Sequence, residues 1–293
     1  LQTTLELAVN YGQLGAYPEA IALLEAYAGT QSVPSPLIHY YRGYYKQKNG
    51  DADAAGCFAQ AAGIPGKYCF PFRPEEIDIL GKALETNPTD AYGRLYLGNL
   101  YYFLNQQEKA VHQWQEAVRL QPACAGAWRN LGFVFTRRND PATAAGYYEK
   151  ALRADSSDPL YFYELDLLYD DLRKPASQRL AWLEKYNKTV EKRDDATSRK
   201  VKLYIETGQY EKALHILRNR HFHVWEGGGD IHSVFVDACL LNGLREMQKH
   251  RYTKALENFE AGATYPDNLE VGEPDHGGRN PEACYLAGLA WEA

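Results

Sequence analysis

The residues best equipped for chemistry lie together in one stretch, Arg220 to Ser233, which reads RHFHVWEGGGDIHS. His221, His223, Glu226 and His232 all carry metal-capable atoms, and the His-x-His spacing places two ligands along an extended strand. The same stretch also suits docking. Trp225 is a large amphipathic anchor, the imidazoles can hydrogen-bond, and Gly227 to Gly229 permit turns closed to other residues. A zinc-type site needs three or four converging ligands, with supporting hydrogen bonds behind each histidine. The expectation taken forward is therefore a docking element built on His221, His223, Trp225 and Glu226, with no metal and no cofactor. The three glycines lack the Lys-Ser/Thr and the preceding strand of a phosphate loop.

Two further groups invite a chemical reading. Asp166, Asp170 and Asp171 crowd one helical turn, without the spacing of a calcium loop; a solvated or arginine-paired face is expected. The five cysteines are odd in number and form no CxxC pair, which excludes the zinc-finger and thioredoxin readings. Cys57 and Cys284 fall in helical patterns as small buried hydrophobes, and free thiols favour a reducing, cytoplasmic compartment. No nucleophile–base pair and no paired carboxylates stand out, so the segment is expected not to be an enzyme.

What positions these groups is a repeat. Residues 91–124 and 125–158 are two copies of one pattern, whose Leu97-Gly98 and Leu131-Gly132 pairs stand 34 positions apart. The same shift carries Tyr101 onto Phe135, Ala110 onto Ala144, Trp114 onto Tyr148 and Ala117 onto Ala151. Gly98 with Ala110, and Gly132 with Ala144, are expected where two helix backbones approach closely, with the aromatics filling the gaps between helices. Pro122 ends one helix, and Asp140-Pro141 supplies an N-cap and first-turn proline for another. This pattern resembles the tetratricopeptide repeat, a helix–turn–helix unit. The resemblance implies an all-α right-handed superhelical solenoid of antiparallel helix pairs.

In register, the repeats run near 1–34, 35–68, 91–124, 125–158, 159–193, 194–227 and 236–269, with a terminal helix at 281–293 acting as a cap. A half-repeat at 69–90 breaks the series. The segment GIPGKYCFPFRP, from Gly63 to Pro74, has three prolines and cannot be a first helix, so an extended run is expected before the amphipathic helix that follows Glu75. Tyr68, Phe70 and Phe72 are expected to cover the surface the missing helix would have covered. Gly43 stands one place out of register, and the 159–193 unit carries Asp166 and Gln178 where small residues belong, so its helices should be spread or rotated.

The family resemblance implies a concave groove lined by the first helix of each pair. Its carboxylate-clamp mode wants asparagine where this chain has Val9, Gly43, Asn99, Phe133, Leu167, Lys202 and Leu244; only Asn99, aided by Arg129, fits. The groove instead presents Tyr92, Tyr102, Phe133, Arg137 and Tyr163, suited to an extended peptide, a partner helix or a sugar ring, unless these rings pack between repeats.

The blocks YCFPFRPEEIDIL, YLGNLYYF, WRNLGFVF, YELDLLY, LEKYNKTVEKRDD and RHFHVWEGGGD, in that order, are similar to the tetratricopeptide region of large bacterial proteins with an amino-terminal domain of unknown function. That resemblance implies a β-rich amino-terminal part with carbohydrate-related activity, and here an accessory module. The chain has no initial Met and opens in repeat register, as a piece of a longer protein would. Two functions follow: a non-catalytic interaction or scaffold module, docking a protein or peptide partner or that amino-terminal domain, and an accessory part of a carbohydrate-active enzyme contributing to a glycan site. A net charge of −6 argues against nucleic acid, and no apolar run is long enough to span a membrane.

Overall fold

A computed structural model describes residues 1–32, 35–64, 69–223, 231–273 and 278–293. The chain divides into two compact units, Leu1–Asp155 and Ser156–Ala293. Among the described residues the ordered elements are helices, without strands, and no helix is long and apolar enough to cross a membrane.

The first unit pairs α1 (Gln2–Gln13) with α2 (Tyr17–Gly29), α3 (Pro36–Asn49) with α4 (Ala54–Ala62), α6 (Ala91–Phe103) with α7 (Gln107–Leu120) and α8 (Ala125–Arg137) with α9 (Pro141–Ala154). The lone α5 (Glu76–Thr86) stands between α4 and α6. Aspartates cap where the sequence placed them: Asp90 accepts the Gly93 amide at 2.8 Å and Asp140 the Thr143 amide at 3.1 Å. Each turn between paired helices contains one left-handed residue, and these are Gly15, Gly50, Asn105 and Asn139 in this unit. Gly and Asn tolerate that conformation at least cost.

The pairs lock together differently from the expected meeting of glycine with alanine. A Cβ added at Gly98 would lie 2.5 Å from Trp114 Nε1, and one at Gly132 would lie 2.7 Å from the Tyr148 ring. The glycine thus leaves room for an aromatic side chain of the paired helix, and Ala110 and Ala144 are fully buried. Gly43 makes the same arrangement with Phe58 at 2.5 Å, so its offset in register does not disturb α3.

The run before α5 is extended, as expected, but its faces are reversed. Cys69, Pro71 and Arg73 point inward, while Phe70 and Phe72 are exposed; Tyr68 lies outside the described residues. Glu76 sets this register. Its Oε2 accepts the amides of Phe72 and Arg73, both at 2.8 Å, and its Oε1 accepts the Tyr41 hydroxyl at 2.9 Å. Side chains alternate along an extended chain, so fixing those two amides fixes which residues face in. Arg73 then reaches α1, donating to Gln2 Oε1 at 2.6 Å and Glu6 Oε1 at 2.9 Å.

The second unit holds α10 (Pro159–Asp171), α11 (Ala176–Lys185), the single turn α12 (Asn187–Val190), α13 (Asp194–Glu206), α14 (Tyr210–Asn219), α15 (Ile231–Gln248), α16 (Tyr252–Gly262), a 3-10 turn at Asp267–Leu269 and α17 (Pro281–Glu292). Helix α15 starts ahead of residue 236 because Ile231, Val234 and Phe235 are apolar and buried. Gly243 repeats the glycine–aromatic arrangement, since a Cβ there would run into the Phe259 ring. The terminal helix packs Ala283 and Ala290 against α15 and α16 and leaves Tyr285 and Trp291 largely exposed. For the same reason Cys284 is exposed rather than buried; Cys57, Cys69, Cys124 and Cys239 are buried, and all five are free thiols.

Candidate functional site

On the first unit the structure brings five of the groove candidates together, on α6 and α8. Tyr102 packs tilted against Trp114 at 5.8 Å and edge-on to Phe133 at 5.9 Å. The Phe133 ring carries a guanidinium on either side, Arg129 at 5.2 Å and Arg137 at 5.9 Å, because residues four apart on a helix share a face. Tyr102 and Phe133 are half-buried and Arg137 is exposed. Asn99 links the two helices: its Oδ1 accepts Trp114 Nε1–H at 3.1 Å and Asn130 Nδ2–H at 2.7 Å. These bonds orient the Asn99 amide; a carboxylate clamp would use its Nδ2 as donor, not the engaged Oδ1. Tyr92 stands apart, stacked on Tyr96 at 6.4 Å, and Tyr163 belongs to the second unit. Asn130, which the sequence reading missed, is visible only through its pairing with Asn99.

In the second unit, Trp225 and Glu226 lie outside the described residues, but His221 and His223 are placed. They meet edge to face with ring centroids 5.0 Å apart. His221 Nε2 lies 2.7 Å from Glu270 Oε1, and His223 Nδ1 lies 3.1 Å from Asp194 Oδ2. Burial would raise the Asp194 pKa, but hydrogen bonds from Arg220 and His223 hold it below the ordinary carboxylate value. His232 is not part of this group. It stacks on Tyr265 at 4.0 Å, with Nε2 placed 2.9 Å from the Thr264 carbonyl oxygen. Neither Asp194, at a helix start, nor Glu270, in a turn 49 residues beyond His221, carried a sequence signal tying it to the histidines.

The acidic turn of α10 is arginine-paired. Asp166, fully buried, receives Arg179 through two bonds of 2.9 Å and Arg199 Nε at 2.6 Å; Asp170 receives both arginines at 2.6 Å. Asp166 stands where other repeats have glycine, and the backbones of α10 and α11 approach closely at few points, in line with the expected spreading or rotation of this pair. A cleft of about 530 Å³ lies beside Glu184, Lys200, Tyr204 and Lys212. Its buried Lys200 is held by Glu191 at 2.7 Å and by Asn187, and Tyr204 donates to Glu184 at 2.8 Å, so its polar groups brace α11 to α13.

Residues 80–159 match the family model described as Tetratricopeptide repeat. The chain is similar to Tetratricopeptide repeat protein 37 of Xenopus laevis, 26% identical over 205 residues, 64% of this chain and 12% of that protein. It is also similar to Anaphase-promoting complex subunit 3 of Schizosaccharomyces pombe, 24% identical over 151 residues, 50% of this chain and 22% of that protein. The chain therefore spans less than a quarter of the length of either relative. Among solved structures it is similar to YrrB, described as a TPR protein with an unusual peptide-binding site (TM-score 0.49, 24% identity, 73% of this chain and 98% of that one). It is similar too to the C-terminal part of a TPR repeat-containing protein from Cytophaga hutchinsonii (TM-score 0.47, 15% identity, 90% and 98%). Residues 80–159 thus carry tetratricopeptide repeats, and the same glycine–aromatic helix pairing recurs on either side of that stretch.

Proposed function

We propose that the chain is the protein-interaction module of a longer protein, and that the α6–α8 surface holds an extended, acidic segment of a protein partner or of another domain of the same protein. Tetratricopeptide repeats bind protein or peptide partners, and this surface has the chemistry for such a segment. The observation that carries the reading is Phe133, half-buried against Tyr102 and flanked by Arg129 and Arg137. An aromatic anchor between two cations favours an apolar side chain with carboxylates on either side of it. The run 69–74 supports it from within the same unit, since first-helix residues Gln2, Glu6 and Tyr41 help hold an extended backbone in place, partly through Glu76.

The test is a peptide array of acidic and basic aromatic sequences probed with the intact chain, followed by titration of the best binder. Phe133→Ala and the Arg129→Glu, Arg137→Glu pair should each weaken binding at least about tenfold, with helix content unchanged by circular dichroism. A preference for basic peptides, or retention of glycans instead of peptides on a parallel array, would replace this reading.

A further inference from the structure

We propose that His221, His223 and Glu270 form a binding site for one divalent transition-metal ion of the zinc type. The donor atoms of these three residues all lie within 4.8 Å of one another. Tetrahedral zinc with bonds of about 2.0–2.2 Å sets neighbouring donors about 3.4 Å apart, so His221 and Glu270 must open slightly and His223 must move inward by about 1 Å. All three side chains are exposed and can make those shifts without disturbing the core. Two imidazoles and one carboxylate are a zinc donor set that leaves a fourth position for water. The nitrogen donors disfavour calcium and magnesium, which take oxygen ligands.

The surroundings prepare the ligands. The Asp194 carboxylate is pinned by Arg220 Nε at 3.0 Å and Nη2 at 2.6 Å, and it accepts the His223 backbone amide at 3.1 Å. An ionised carboxylate only accepts, so the His223 nitrogen facing it, Nδ1, carries the proton. Nε2 then holds a bare lone pair for a metal, with a carboxylate behind the ring, the arrangement that orients ligating histidines. At His221 a neutral ring with its single proton on Nδ1 presents Nε2, the nitrogen 2.7 Å from Glu270 Oε1, to the ion. The two ligand-bearing segments are also laced together. The Phe222 amide donates to the Asn268 carbonyl at 2.8 Å, and Asn268 Nδ2 donates to the carbonyls of Leu217 at 2.8 Å and Arg220 at 2.7 Å. Docking remains open to the rest of the loop; this assignment concerns His221, His223 and Glu270 alone.

The experiment uses the full chain, freed of any affinity histidines, titrated with zinc ion by calorimetry and with cobalt ion by visible absorption. The expected result is one zinc per chain, a cobalt spectrum without a thiolate charge-transfer band, and at least tenfold weaker binding in His223→Ala and in Glu270→Gln. Asp194→Asn, a positioning change, should weaken binding about 10- to 100-fold. Circular dichroism should show unchanged helix content in His223→Ala and Glu270→Gln, whose side chains are exposed. Absence of saturable zinc binding, or equal affinity in both of those variants, would overturn the proposal. So would a thiolate band from cobalt, which would move the site to the exposed Cys284.

Discussion

Replacing Asp166 by alanine removes the centre of the ion-pair cluster in the second unit, and its cost follows from what is left behind. Arg179 is 3% exposed and loses two bonds of 2.9 Å; Arg199 loses one of 2.6 Å. Breaking a buried pair from one side costs about 3–5 kcal/mol, because a charge stays buried without its partner. Asp170 still reaches both arginines at 2.6 Å, which puts the expected loss near the lower end, about 3 kcal/mol. In urea, with a slope of about 2 kcal/mol/M, the transition of this unit should move down by about 1.5 M. Fluorescence of Trp182, which packs on Phe162 at 5.2 Å and Tyr169 at 5.6 Å, reports on this repeat. Asp166→Leu combined with Arg179→Leu should recover most of the loss, since well-packed apolar side chains replace buried ion pairs at little or no cost. A midpoint within about 0.3 M of the parent for Asp166→Ala would refute the argument, because a buried arginine would then be losing two bonds without consequence.

Three other outcomes are expected. Gly132→Leu should lose about 1–3 kcal/mol in denaturant melts, since its Cβ alone would sit 2.7 Å from the Tyr148 ring; an unchanged midpoint would contradict the packing described. Glu76→Ala strips the acceptor from the Tyr41 hydroxyl and from the amides of Phe72 and Arg73, at about 1–3 kcal/mol for a buried group left unpaired, so amide exchange at 72 and 73 should accelerate while α8 and α9 keep their protection. The buried acids Glu76 and Asp90 of the first unit should contribute to the acid response with the opposite sign to Asp170 and Asp194 of the second. In the first, burial raises the pKa of Glu76 and Asp90, so the folded state binds protons more tightly, and stability rises as pH falls from the folded values towards the unfolded ones near 4. In the second, burial pushes Asp170 and Asp194 upward, but their arginine partners depress both pKa values. Their stabilisation is therefore present above the unfolded value near 4 and lost as pH falls below it. Asp170→Asn should lose less stability than the parent as pH falls below about 4, and an equal loss would count against this.

The parts of this protein that read directly from sequence are those governed by local rules. Asp140-Pro141, Asp158-Pro159 and Asn280-Pro281 announce helix starts because capping and proline geometry act within four residues, and each of the three acids or amides does cap its helix. The 34-residue interval places Gly98 and Gly132 because one helix pair must repeat the packing of the last. What the interval cannot say is which atom fills the space beside a glycine. Alanine and aromatic positions recur with the same period, so only coordinates reveal that Trp114 and Tyr148 take it. The extended run shows the same limit more sharply. Its prolines excluded a helix, yet its inward face depended on Glu76 capturing two amides and on Arg73 reaching Gln2, 71 positions earlier.

Charge completes the contrast between the two units. Where a repeat keeps its glycine, the first and second helices close on an aromatic ring, and stability comes from shape. Where the glycine is replaced by Asp166, the helices spread and the gap is closed by Arg179 and by Arg199 from the next helix pair. An aspartate in that position has no local signature beyond breaking the pattern, and its partners stand 13 and 33 residues away. The histidines follow the same logic at the surface: His-x-His was legible, but Asp194 and Glu270 join it only because α13 and the turn after α16 fold back beside it. In a repeat protein the regular positions build the frame, and the departures from the repeat are where side chains distant in sequence converge. Those departures, at Asp166, at 69–74 and at His221–Glu270, are therefore the places to look for what distinguishes this chain from other arrays of the same unit.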